Sequence, residues 1–169
     1  MQATCEGFDF LLLHKNKPMK YYRTEEGKLV DIIEHSVEQI KAFPDLKIFI
    51  GTDSQNYGGN TVYATVVVFR YGLRGAHYIY NKVKVPRIRD HFTRLYKEGE
   101  LSIECAEYIQ TNSSIKVHAV EFDYNNKKVT KSTNLVPVLK GWAESLGYKA
   151  LVKPDDLIAS KAADHIARN

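Results

Sequence analysis

The sequence predicts an α/β domain built on a five-stranded mixed sheet with helices on both faces, and three observations carry that prediction. From Lys47 onward, three runs rich in β-branched and aromatic residues follow one another across short connections, the pattern of an antiparallel meander. The pattern then turns helical and alternates helix, strand, helix, strand, helix, as crossover units do. The 169 residues, 44% hydrophobic and 26% charged, suit one domain around one core.

Residues 1–46 are read as an N-terminal arm and amphipathic helix ahead of a main domain over 47–169. "HKNKPMKYYR" is basic and broken by Pro18, so the arm is expected to be irregular, with one short strand around Phe8–Leu13. "TEEGKLVDIIEHSVEQIKAF" spaces Leu29, Ile32, Ile33, Val37 and Ile40 as a helix does, with Thr24 as its cap and Pro44 ending it. "KIFIGTDS" is the first strand of the main domain, apolar enough for burial on both faces. "TVYATVVVFRYG" is the second; Gly72 and Gly75 turn the chain into the third, "AHYIYNKVKV", which Pro86 ends. Ile88 to Thr111 reads as one helix, or as two broken at "EGE". "IKVHAVEFDYN" is the fourth strand and "YKALVKP" the fifth. Between them "STNLVPVLKGWAESLG" is helical, with Pro137 in its first turn and Gly147 at its C-terminal cap. "DDLIASKAADHIAR" is a terminal helix with Asp155 as N-cap.

Numbered from residue 47, right-handed crossovers give the strand order 3-2-1-4-5, with the fourth strand beside the first and parallel to it. Chain direction across the sheet then switches at strand one, and sites in such sheets form outside the carboxyl ends of the strands at the switch. Asp53 and Asp123 end those two strands.

Composition narrows the class further. Twenty-four Lys and Arg against 20 Asp and Glu leave a net charge of +4, which permits a polyanionic partner without demanding one. Two distant cysteines, Cys5 and Cys105, make neither a disulfide scaffold nor a zinc finger and suit a reducing compartment. With no signal peptide and no membrane-length apolar run, a cytoplasmic protein is expected. A phosphate-loop lysine, a GxSxG elbow and zinc-ligand spacing of the histidines are all absent.

Two further elements carry acids that can join Asp53 and Asp123: the helix after strand three, with Glu100, Glu104 and Glu107, and the last helix, with Asp164 in "ASKAADHIA". Four converging carboxylates repel one another unless a cation neutralises them, and a hard divalent ion such as Mg²⁺ or Mn²⁺ suits an all-oxygen site. The plain alternatives are that Asp53 and Asp123 open turns and that Asp164 is a surface acid paired with Lys161 or Arg168.

"FIGTDSQ", "LSIECAEYI", "EFDYN" and "KPDDLIASKAA", in this order over residues 47–169, resemble the ribonuclease H-like superfamily, and more narrowly the YkuK-like family of predicted bacterial nucleases. The resemblance implies a ribonuclease H-like fold and metal-dependent hydrolysis of nucleic-acid phosphodiesters. It also implies Asp53, Glu104, Asp123 and Asp164 as catalytic and metal-binding residues. Asp53 is expected to bridge two Mg²⁺ or Mn²⁺ ions. A non-catalytic nucleic-acid-binding module on the same fold is the alternative. Substrate contacts are expected from Ser54 and Gln55 beside Asp53, from Tyr78, Tyr80, Lys82 and Lys84 alternating onto one face of strand three, and from Arg87. RNA, DNA and hybrid partners all remain open, as does oligomeric state. An edge strand guarded by lysine is the plain reading of the same strand.

Overall fold

A computed structural model describes residues 20–124 and 134–169. Its elements in chain order are β1 (Tyr21–Thr24), β2 (Leu29–Asp31), α1 (Ile32–Ala42), β3 (Lys47–Tyr57), β4 (Asn60–Arg70), β5 (Ala76–Pro86), α2 (His91–Asn112), β6 (Ala119–Phe122), α3 (Leu135–Ser145), β7 (Lys149–Val152) and α4 (Ala159–Arg168). Among the described residues, the sheet has seven strands in the order β2-β1-β5-β4-β3-β6-β7. Its last five positions are the expected 3-2-1-4-5 core, with β3–β4 and β4–β5 antiparallel and β3–β6 and β6–β7 parallel.

The two additional strands correct the expectation of five. "TEEGK" does not begin a helix. Gly27, at φ +83, lets the chain turn back, and Gly27 N–H donates to the Thr24 carbonyl, so residues 21–31 form a hairpin. β1 then pairs with β5, so the hairpin of residues 21–31 belongs to the same sheet as the strands after residue 47. The cap of α1 is Asp31, not Thr24: its Oδ1 accepts from the N–H groups of Ile33 and Glu34 at 2.8 and 3.1 Å. The strand expected around Phe8–Leu13 lies outside the described residues.

Helices α1, α2 and α3 cover one face, packing on Ile48, Ile50, Val67, Phe69, Ile79, Val120 and Phe122. Among the described residues, helix α4 covers the other, over Phe49, Ala64, Val66, Val68 and Ala119. β3 thus buries alternate residues on opposite faces, as its apolar run predicts. α2 is a single helix that starts at Asp90, whose Oδ2 accepts from Thr93 N–H. Gly99 does not break it. A Cβ there would lie 2.4 Å from Leu139 Cδ1, so the glycine lets α2 and α3 approach. Gly147, at φ +86, follows α3 as expected. Asp155 does not cap α4; it closes the turn after β7 by accepting from Val152 N–H at 3.2 Å.

The close approach of β3 and α4 is between backbones. A Cβ on Gly51 would sit 2.7 Å from Ser160 N and 3.0 Å from the Ala159 carbonyl carbon, both backbone atoms. Gly51→Ala is therefore expected to cost roughly 1–3 kcal/mol by overpacking. Gly141→Ala, in α3 with nothing within 4 Å of a new Cβ, is expected to gain roughly 0.5–1 kcal/mol. Urea unfolding midpoints of the two variants measure both.

Candidate active site

Asp53 is not a turn residue. β3 continues past it to Tyr57 in unbroken register with β4, Asp53 opposite Ala64 and Tyr57 opposite Asn60. The turn consists of Gly58, at φ +52, and Gly59. Asp53 instead lies just beyond the end of the β3–β6 ladder. The last recorded pair is Gly51 with Glu121, and carrying the parallel register two residues further puts Asp123 beside Asp53.

The terminal helix brings the third acid. α4 starts at Ile158, which has no capping side chain of its own, and the buried Glu121 of β6 supplies the cap from a distance. Its Oε1 accepts from Ile158 N–H at 3.1 Å and its Oε2 from Ser160 N–H at 2.8 Å. Burial raises the Glu121 pKa, and these backbone N–H groups oppose the rise. The carboxylate also meets the positive end of the helix dipole. With α4 so docked, Asp164 faces β3 and comes within hydrogen-bonding reach of Asp53, provided one of the two carries a proton.

A fourth acid approaches from the opposite face. Glu98 of α2 is only 5% exposed, and its Oε1 accepts from Ser54 Oγ at 2.5 Å. Burial raises its pKa well above the ordinary glutamate range. The Ser54 hydrogen bond and the charge of Arg94 lower it, while Asp53 and Asp123 raise it. Glu104 does not join the group, which corrects the expectation from sequence. It is exposed, and the charges that act on it are those of Lys97, Glu100 and Glu107. Six residues turn a helix through about 240°, so Glu98 and Glu104 point to different sides. Glu100 pairs with Lys97 at 2.5 Å. Glu98 was legible as an acid sharing a helical face with Leu95, Ser102 and Ile109, but a search for exposed acids passes over it.

Burial is the main cause that lifts Asp53 to about 6. The Ser54 N–H opposes it, and the bond to Asp164 with the charges of Asp164 and Asp123 adds to it. Burial also pushes Asp164 up, but hydrogen bonds from Arg168, Asp53 and Gln55 outweigh it and hold its carboxyl below the ordinary value. Two cations meet this group: Lys153 pairs with Asp123 Oδ1, and Arg168 Nε donates to Asp164 Oδ1 at 2.7 Å.

The expected substrate contacts divide. Ser54 is buried under Glu98 and unavailable at the surface. Gln55 is half-buried and donates to Asp164 Oδ1 at 3.5 Å. Tyr78 and Tyr80 are half-buried against the α4 side of the sheet, while Lys82 and Lys84 farther along β5 are exposed. Those lysines line a groove of about 370 Å³ with Tyr57 and Arg168. Arg87 is exposed, donates to the Gly58 carbonyl at 2.7 Å, and lines a second groove of about 700 Å³ with Arg89.

Among the described residues, no group of three His, Cys, Asp or Glu side chains is arranged to hold a metal ion as it stands. The donor set nonetheless fits a hard divalent cation. It is all oxygen, and Asp53 Oδ2 is buried with no hydrogen-bond donor while neighbouring acids raise the cost of its charge. Lys153 and Arg168 now supply part of the positive charge such an ion would bring.

Fold and site together define the class: an α/β protein with carboxylates from a central strand, its parallel neighbour and the last helix gathered at one end of the sheet. A family model described as ribonuclease H-like matches residues 28–168, and the chain belongs to that family. The match takes in β2 and α1, in keeping with their place in the sheet. Membership associates the chain with nuclease or other nucleic-acid-related activity. No curated protein matches the chain. Among the described residues, no helix is long and apolar enough to cross a membrane.

The raised Asp53 pKa makes a stability prediction. Its folded value, about 6, lies above the unfolded one, so the folded protein holds this proton more tightly. That contribution is fully present below about pH 4 and is lost as pH rises through about 6. Metal-free Asp53→Asn protein is expected to be more stable than the parent at neutral pH by roughly 1–2 kcal/mol, allowing for partial solvent screening. The advantage is expected to vanish near pH 4, and denaturant titrations at both pH values measure it.

Proposed function

We propose that the protein is a divalent-metal-dependent nuclease that hydrolyses nucleic-acid phosphodiester bonds by a two-metal route. The observation that carries this reading is the convergence of Asp53, Asp123 and Asp164, around a buried Asp53 oxygen with no donor, on a ribonuclease H-like fold. Asp53, Asp123 and Asp164 would hold Mg²⁺ or Mn²⁺, with Glu98, not the Glu104 that the resemblance implied, as the helix acid behind them. Bound there, such an ion lowers the pKa of a water and neutralises charge on the phosphate.

The chain's own residues set the terms. Asp53 is held by a continuous strand ladder, so its carboxylate is placed without the entropy of a loop. Glu98 is fixed by Ser54 and faces the same charges, so it orients and tunes the group from behind. Lys82, Lys84 and Arg87 are exposed on the flanks and supply phosphate contacts, which makes binding salt-dependent. A second reading, a nucleic-acid-binding module without catalysis, draws on the ion pairs of Lys153 and Arg168, which leave two of the acids already neutralised.

Cleavage of RNA, DNA and hybrid strands in Mn²⁺, with and without chelator, tests the proposal. Asp53→Asn is expected to abolish cleavage. Glu98→Gln is expected to lower it roughly 10–100-fold, and Glu104→Gln to leave it unchanged. Cleavage that persists in Asp53→Asn protein overturns the assignment. Salt-sensitive binding with no cleavage in any metal favours the binding module.

A further inference from the structure

Arg168 belongs to two places at once. Its Nε donates to Asp164 Oδ1 at 2.7 Å, and its side chain lines the groove that Lys82 and Lys84 share with Tyr57. The end of α4 is tied down separately, because Tyr57 Oη donates to the Arg168 carbonyl at 2.6 Å. The guanidinium can therefore move without moving the helix. Its side chain is 63% exposed, so a swing from the carboxylate toward the groove requires no repacking.

We propose that Arg168 is an exchangeable counter-ion. It neutralises Asp164 in the metal-free protein and releases that carboxylate when the phosphate backbone of a nucleic acid enters the groove, so that nucleic acid and divalent cation bind cooperatively. This rests on the metal-dependent reading above and adds its regulation. The exchange follows from charge. With Arg168 on Asp164, a cation approaching the acids meets a carboxylate already paired. A phosphodiester in the groove offers the planar guanidinium two non-bridging oxygens as a bidentate acceptor, and two lysines already favour an anion there. Asp164 left without Arg168 restores the repulsion with Asp53 and Asp123, which a divalent ion relieves. Site and groove are thus linked through one side chain, and the linkage is reciprocal. Lys153, which pairs with Asp123, is not among the residues lining the groove, so it has no comparable route of release.

Isothermal titration of Mn²⁺ into the full chain tests this. Wild type, Arg168→Met and Arg168→Lys are each measured alone and with a hydrolysis-resistant phosphorothioate strand, in DNA and RNA versions. Arg168→Met is expected to bind Mn²⁺ at least about fivefold tighter than wild type without the strand, and to lose a similar factor from the strand's enhancement of Mn²⁺ binding. Arg168→Lys is expected to keep much of the wild-type coupling. Equal Mn²⁺ affinity in wild type and Arg168→Met overturns the counter-ion role while the metal-dependent reading stands. An enhancement by the strand of the same size in both overturns the exchange. Mn²⁺ binding in neither protein overturns this proposal and the metal-dependent reading together.

Discussion

The docking of α4 against β3 is the constraint on which the site depends. A ten-residue helix with no capping side chain at its start has little reason to hold one position on a sheet. Glu121 supplies that reason. Its carboxylate takes the N–H groups of Ile158 and Ser160, and Gly51, with no Cβ, lets the helix start touch the strand. Breaking this arrangement would leave a buried carboxylate and buried backbone donors together without partners, a costly combination. The helix is therefore pinned at its N-terminal end, and its C-terminal end carries Asp164 over Asp53 and Gln55.

The acids are then held by rigid elements on a polar seam. Beneath β3, Ser102 Oγ donates to Thr52 Oγ1, which lies 3.0 Å from Thr65 Oγ1, and Ser54 reaches Glu98. This seam of satisfied hydroxyls lets α2 approach the strand without an apolar seal, so a buried glutamate is tolerated close to the aspartates. Repulsion among the acids is eased in two ways: burial favours a proton on Asp53 and Glu98, and cations pair with the other two, Arg168 with Asp164 and Lys153 with Asp123.

Core strand order, and with it the nearness of Asp53 to Asp123, was legible because it follows from apolar period and from the handedness of crossovers. The β1–β2 hairpin was not, because "LVDIIEHSVEQI" carries helical spacing that reaches three residues upstream of the true start at Ile32, where Asp31 caps the helix. The place of Asp53 inside a strand was not legible: a polar stretch before two glycines looks like a loop, whereas β4 supplies a partner for each residue to Tyr57. Glu98 and Glu121 were missed for one reason. The partners of each, Ser54 and the start of α4, come from distant parts of the chain.

The position of Asp53 explains how acids from opposite faces of one sheet act on one another. Along β3 the side chains alternate, so Asp53 and Gln55 point toward α4, and Ser54 points toward α2 and Glu98. An unbroken sheet would separate these faces. β6 stops at Phe122, however, while β3 runs on to Tyr57, and the sheet has a step there. Tyr124 fixes the departure of the chain: its N–H bonds back to the Phe122 carbonyl, and its hydroxyl donates to the Leu95 carbonyl of α2 at 2.7 Å. Among the described residues, no strand pairs with β3 at Asp53 on its parallel side. Glu98 from one face, Asp164 from the other and Asp123 from the end of β6 all act on the same carboxylate. Extending β6 by even a few residues would restore the ladder and divide the acids between two faces, so the short fourth core strand is a requirement of the site as much as of the fold.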